Sequence, residues 1–214
     1  MADRIINILT PGKNFDLITL NEAKLMTGMS LTDTSADAQM QLFIDVSSTQ
    51  VMVMCNRTFA KERVREEWRE LSSHLRIFTS HWPIKAADLE TVESPMGTVL
   101  DPSQYELEED SGKIACYNGF IEPVAITYTG GYDLPGSDDP RLTALKSAVG
   151  LLIWQEKLRA TTGATAGIRM LMHKDSRVMF HDPTKILQAA LGAAKTPVET
   201  TLMKLLSHYI RFEV

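Results

Sequence analysis

Cysteine is scarce in this 214-residue chain: Cys55 and Cys116 stand far apart and belong to no Cys-x-x-Cys pair. Two thiols with no nearby histidine partners do not complete a tetrahedral metal site. Free, buried thiols in a reducing compartment are the expectation, ahead of a disulfide. Long apolar runs are missing as well. None approaches the ~20 residues that span a bilayer, so no membrane partner is expected. The opening MADRIINILTPGK has no basic region, long apolar core or cleavage site, and no signal peptide is expected from it. The usual catalytic signatures are absent too. There is no GxSxG elbow, and Gly163 and Gly167 are not followed by the Lys-Ser/Thr pair of a phosphate-binding loop. His74, His81, His173, His181 and His208 form no HExxH spacing. His173 and His181 face each other if the segment between them is a hairpin, but two ligands without a third make a poor site. Surface or interface positions are expected for the histidines. Together these absences predict a protein that is not an enzyme, with no catalytic residues, cofactor or metal.

What is present is a globular composition, 44% hydrophobic, long enough for one domain or for one core with a sizeable insertion. The net charge of −5 argues against a dedicated duplex-binding protein, which needs a basic face to release counterions. The charge is segregated. From Asp88 to Asp110 there are eight acidic residues and no basic one, whereas from Arg141 to Lys185 eight Lys and Arg face only Glu156, Asp175 and Asp182. Such blocks are usually solvated surface, and they are also suited to meet between copies of the chain.

Thr19 and Glu22 have capping-box spacing and predict a short helix that stops at Gly28. A longer helix is expected from about Ser35 to Asn56, with Leu42, Phe43, Val46, Val53 and Met54 at helical spacing. The small residues Ser47, Ser48 and Thr49 within it suit close packing of another helix. AKERVREEWREL carries charge on nearly every residue, and a strand is preferred to a solvated helix because the segments after it alternate between turn signals. RIFTS, IKAADLETV, QYELEE, KIACY and VAITYTGGY, punctuated by Pro and Gly, indicate an antiparallel β region. Asp139 then caps a helix whose first residue is Pro140, and the run from Ala148 to Trp154 is apolar almost all round, as in a helix buried on more than one side. IRMLMHKDSRVMF reads as a hairpin turning at residues 174–176. Asp182-Pro183 opens a helix to about Ala193, and the capping box at Thr196–Glu199 opens a last one with Leu202, Leu205, Leu206, Tyr209 and Ile210 on one face. The expected class is α+β, a mainly α-helical bundle with an inserted antiparallel β region. The expected parts are an extended N-terminal arm (1–16), a helical bundle (17–57 and 138–194), a β insertion (58–132) and a C-terminal helix and tail (195–214).

Two stretches are candidate sites on chemistry alone. Glu106, Glu108 and Asp110 alternate along a predicted strand and share a face, but they lack the glycine and closing glutamate of a calcium loop, and an exposed acidic surface is favoured over a cation site. Gly130-Gly131-Tyr132 is not GxGxxG. Asp133, Asp138 and Asp139 beside it repel a phosphate, so a turn is expected, with one or both glycines at positive φ.

The order of these elements carries a resemblance. ITLNEAK opens a capped helix, a longer helix ends in CNR, and a charged strand follows. Then come a WPI strand start, the DPSQYELEEDSGKI turn region, VAITYTGGY, the DDPRLTALKSAVGLLIW helix and LMKLLSHYIRF. Over about residues 17–159, and more loosely at LLSHYIR, the chain resembles the head–tail connector, or adaptor, proteins of tailed bacteriophages. The segment from Gly163 to Phe180 is longer than that pattern. The resemblance implies a structural virion protein of the neck, assembled in the bacterial host's cytoplasm. Such a protein forms a homo-oligomeric, dodecameric ring that binds the portal on one side and a stopper or tail protein on the other, while DNA passes through its axial channel without sequence specificity. In that frame Leu202, Leu205, Leu206, Tyr209, Ile210, Arg211 and Phe212 are the portal-docking candidates. Glu106, Glu108, Glu109 and Asp110 are channel or interface candidates, and Gly130, Gly131, Asp139 and Pro140 form a structural turn. The alternatives are a neck stopper or tail-completion protein and, behind it, a metal-dependent enzyme using the acidic strand.

Overall fold

A computed structural model describes residues 4–162, 170–173, 176–179 and 198–210. The chain divides into two compact units, the first holding residues 4–16 with Cys55–Ser137 and the second Leu17–Met54 with the described residues from Asp138 to Ile210.

The first unit is β. Its four-stranded sheet runs in the order β1 (Arg4–Thr10), β2 (Glu62–Trp68), β7 (Val124–Gly130), β4 (Leu89–Glu93), and a three-stranded sheet runs β3 (Arg76–Phe78), β6 (Lys113–Cys116), β5 (Tyr105–Glu108). All of these pairings are antiparallel. Period-two alternation explains why the sheets face one another. Val64 and Trp68 on β2, Val124, Ile126 and Tyr128 on β7, Val92 on β4, Ile77 on β3 and Ile114 and Cys116 on β6 form one buried cluster, closed by Ile84 and Phe120. Removing apolar area of this kind from water stabilises by roughly 25 cal/mol per Å².

The second unit is helical apart from one hairpin. It contains α1 (Leu20–Met26), α2 (Asp37–Cys55, its last residue in the first unit), α3 (Thr143–Thr162) and α4 (Val198–Leu206), and β8 (Met170–His173) pairs with β9 (Ser176–Met179). The capping box at α1 is formed: the Thr19 hydroxyl accepts from Glu22 N, and Glu22 Oε2 accepts from Thr19 N at 2.7 Å. Lys24, only 2% exposed, is neutralised by Asp37 and donates to the Asp33 carbonyl at 2.7 Å, which ties the loop before α2 to α1. On α3, Leu145, Ala148, Val149, Leu152 and Ile153 are buried, Lys146 reaches Glu22 at 2.6 Å and Lys157 Nζ donates to the Thr27 carbonyl at 3.0 Å.

The expectation of a mainly helical bundle is overturned. Among the described residues there are nine strands and four α-helices, and the β unit has its own core. The physical reason lies in two places. The stretch expected to be only an extended arm pairs along β2, from Arg4 opposite Trp68 to Thr10 opposite Arg63. The segments from Thr58 to Gly131 bury enough aliphatic and aromatic side chains to stand as a core in their own right, not as an appendage. The helix expected after Asp182 lies outside the described residues.

Candidate functional site

The strand β2 decides the chemistry of the first unit. In ERVREEW the residues Glu62, Val64, Glu66 and Trp68 share one face, and that face is inside: Glu62 is 3% exposed and Glu66 0%. A buried carboxyl group requires partners, and the sequence supplies them for all but Glu66 Oε2, which has no hydrogen bond and faces Arg4 at 3.9 Å. Glu66 Oε1 accepts from the Ser80 amide at 2.7 Å, from the Ser80 hydroxyl at 2.5 Å and from the Tyr128 hydroxyl. His81 Nε2 lies 3.0 Å from Glu62 Oε2, and Glu62 Oε1 accepts from Gly12 N at 2.9 Å. The His81 amide donates to the Tyr128 oxygen at 3.0 Å. Beside this network Arg57 donates to the Trp82 carbonyl, and its guanidinium carbon sits 3.2 Å from the Trp82 ring centre and 4.5 Å from that of Phe59, a cation–π arrangement.

Ser80 Oγ is also 2.9 Å from His81 Nδ1, which places serine, histidine and Glu62 in the order of a nucleophile, base and orienting acid. The arrangement does not activate the serine. Its single hydroxyl proton has a closer acceptor in Glu66 Oε1, which already holds the Ser80 amide, and a nucleophile is activated only when the base takes that proton. The network instead fixes the Ser80–Pro83 segment and, through Gly12, the arm against β2.

Burial pushes the His81 imidazole below its ordinary value of 6.5, against the opposing pull of Glu66 and Glu62, with Arg57 acting in the same direction as burial. The unfolded chain therefore binds more protons at His81 than the folded one below about pH 6.5, and stability falls as pH drops through that window. The Arg63 guanidinium holds Glu90, and the Arg65 guanidinium holds Glu93, below the ordinary carboxyl value of 4.5, so their losses come at lower pH. Thermal melts between pH 7 and pH 5 should show a falling Tm that is flatter in His81→Gln; equal slopes would show that His81 does not carry the effect.

The outer face of the same sheet is a charge ladder. Lys61 meets Asp88 at 3.4 Å, Arg63 holds Glu90 through two bonds of 2.7 Å, and Arg65 holds Glu93 at 2.8 Å. Half-exposed pairs of this kind contribute about 0–1 kcal/mol each; their greater consequence is that the first part of the acidic block is balanced within its own unit. Of the acidic candidates, Glu106 and Glu108 lie on the exposed face of β5, Glu108 pairs with Lys113 at 3.2 Å, and Glu109 accepts from the Ala86 amide at 2.8 Å. Asp110 is exposed in the turn that follows. Among the described residues no group of three His, Cys, Asp or Glu is placed to hold a metal ion.

The glycine corner is a turn. β7 ends at Gly130, and Gly131 adopts φ +109°. Gly131 N donates to the Pro83 carbonyl at 3.0 Å and Tyr132 N to the Phe59 carbonyl at 2.8 Å. Asp139 accepts from Arg141 N at 2.9 Å, and Pro140 opens a 3-10 turn that runs into α3. Of the α4 candidates, Leu202 and Leu206 are buried, while Leu205, Tyr209 and Ile210 are half-buried and Tyr209 donates to the Arg141 carbonyl. Arg211 and Phe212 lie outside the described residues.

The expectation of surface or interface histidines fails at His81, which is 6% exposed inside the β unit. Alternation was the available signal: once β2 is a strand with Val64 and Trp68 inside, Glu62 and Glu66 are inside with them and need donors. Cys55 and Cys116 are free and buried, and burial pushes the Cys55 thiol up to about 11.

The fold these units define is shared with chains of gene transfer agent particles. At 14% identity and a TM-score of 0.53, a chain from the neck of an empty gene transfer agent particle, computed with C6 symmetry, aligns over 98% of this chain and 97% of its own. A chain from the virion of the native gene transfer agent particle aligns equally well, and one from the native neck with C12 symmetry gives 13% identity and a TM-score of 0.50 at the same coverage. No family model and no curated protein matches the sequence.

Proposed function

We propose that this chain is a structural neck component of a tailed, phage-like particle, a head-to-tail adaptor that assembles as a dodecameric ring between portal and stopper or tail proteins and leaves an axial path for DNA. The observation that carries the reading is the shared fold along nearly the whole of both chains, with a protein from a neck. Helices flank the β2–β7 segment in sequence, α1 and α2 before it and α3 after it, while β1 precedes α1 and β8 and β9 come between α3 and α4. This arrangement favours the adaptor over a stopper one ring lower, which a mostly β-barrel chain would favour. The exposed carboxylates of β5 suit a channel or interface that DNA passes without sticking, because a basic lining would bind phosphates and release counterions. The half-buried Leu205, Tyr209 and Ile210 are the portal-docking surface. In a test by co-sedimentation with the particle's own portal rings, the protein should sediment with the portal at close to one copy per portal subunit. Protein that stays monomeric in the supernatant would refute the adaptor assignment.

A further inference from the structure

The first unit has two open sheet edges of opposite charge. β1 is an outer strand, paired among the described residues only with β2. From Arg4 to Phe15 the chain carries Arg4, which lies 3.9 Å from the buried Glu66 of its own unit, and Lys13, and no acidic residue. Along β1, Ile6, Ile8 and Leu9 are 39%, 54% and 45% exposed. β5 is the outer strand of the second sheet; among the described residues it pairs only with β6, and just past its end the Glu109 carbonyl accepts from Ile84 N at 2.9 Å, which leaves the Tyr105–Glu108 stretch as the open part of the edge. From Asp101 to Asp110 the chain carries Asp101, Glu106, Glu108, Glu109 and Asp110 and no basic residue. On its inner side Tyr105 and Leu107 are half-buried at the rim of the core. The remaining edges are less available. Residues 98–100 already bond to the β4 segment, with Leu100 N to Val92 O at 2.8 Å and Ser94 N to Thr98 O at 2.9 Å, and β3 is only three residues long. An open edge is a template for another strand unless charge, proline or a covering segment blunts it. β1 has seven residues, and no charge or proline interrupts it after Arg4.

We infer that β1 of one copy adds to the β5 edge of the next, so that a strand pairing between subunits is the head-to-tail contact of the ring. This rests on the ring reading above. A second copy is the occupant because the two edges complement each other and not themselves. Pairing β1 with β1 offers no opposite charge to Arg4 or Lys13, and pairing β5 with β5 about a two-fold axis sets Glu106 opposite Glu108, which is unfavourable. Contact between two different surfaces of one chain closes into rings or runs on as filaments, whereas a self-complementary patch stops at a dimer. Main-chain hydrogen bonds supply the affinity of such strand addition. Ile6 and Ile8 extend the apolar layer where Tyr105 and Leu107 end it, and the opposite charges of the flanks favour this register over its alternatives.

Cysteine cross-linking on the full-length protein tests this, since the native thiols are buried. Ile6→Cys, Asn7→Cys and Ile8→Cys are each mixed with Glu106→Cys and assembled on portal rings under mild oxidation. At least one mixture should give a cross-linked pair, and the same two cysteines in one chain should give a ladder of multimers. Lys13→Glu should reduce assembly at least tenfold, with recovery on adding Glu106→Lys. Rings that form with no cross-link from any mixture, or cross-links between β1 cysteines alone, would overturn this contact while leaving the ring standing. Absence of rings in the unmodified protein would remove both.

Discussion

Gly131→Ala is expected to lower the thermal midpoint by on the order of 10 °C. Two causes add. Gly131 has φ +109°, a region that side-chain-bearing residues rarely enter, and an added Cβ would lie 2.4 Å from the Ala60 carbonyl oxygen and 2.8 Å from its carbon. The neighbour is backbone, fixed by the bonds between Lys61 N and the Tyr132 carbonyl and between Tyr132 N and the Phe59 carbonyl, so it does not yield. Strain and overpacking together cost about 2–5 kcal/mol. Gly28→Ala separates the two causes. Gly28 also has positive φ, +67°, but nothing lies within 4 Å of its added Cβ, so about 1–2 kcal/mol is expected there. Melting curves that shift equally for the two variants would show that the close approach at Gly131 contributes nothing.

Leu205→Asp with Tyr209→Asp is expected to abolish portal attachment, with binding weakened at least 100-fold, the scale of losing two central contacts. Leu202 and Leu206 are already buried in their own unit, which leaves the half-buried Leu205, Tyr209 and Ile210 as the part of the face open to a partner. Tyr209 also donates to the Arg141 carbonyl, so Tyr209→Phe, which removes only that hydroxyl, is the companion variant. It should keep attachment. A double variant that folds with an unchanged melting point and still binds the portal would show that another surface docks.

Much of this architecture was legible in the sequence because local chemistry specified it. The Thr19–Glu22 capping box, the long helix ending at Cys55, the Asp139-Pro140 restart, the alternation in VAITYTG and the hairpin between Met170 and Met179 each carry their own signal. The proportion of helix to strand was not legible. RIINILT reads as an arm until β2 is placed beside it, because a strand's partner is a non-local fact. The buried network was half visible. ERVREEW shows two glutamates in phase with Val64 and Trp68, yet Ser80 and His81 become their partners only when the chain after β3 folds back over β2. The acidic block from Asp88 to Asp110 looked like one surface. The structure splits it into a part neutralised by Lys61, Arg63 and Arg65 and a part left facing outward on β5.

The division gives the GGY corner its role. Gly131 and Tyr132 hold the end of β7 to the segment between Cys55 and β2, and Asp139 and Pro140 then restart the helix. Stability of the β unit and assembly of the ring are thereby separable: Gly131 variants should affect the first, and variants at Leu205 or Lys13 the second.

Negative-stain imaging of the protein mixed with the portal rings of its own particle decides whether it is an adaptor. An added twelvefold ring is expected on one face of the portal, coaxial with its channel, in class averages of the mixture and absent from portal alone. Portal particles that stay unchanged at saturating protein would contradict the adaptor assignment.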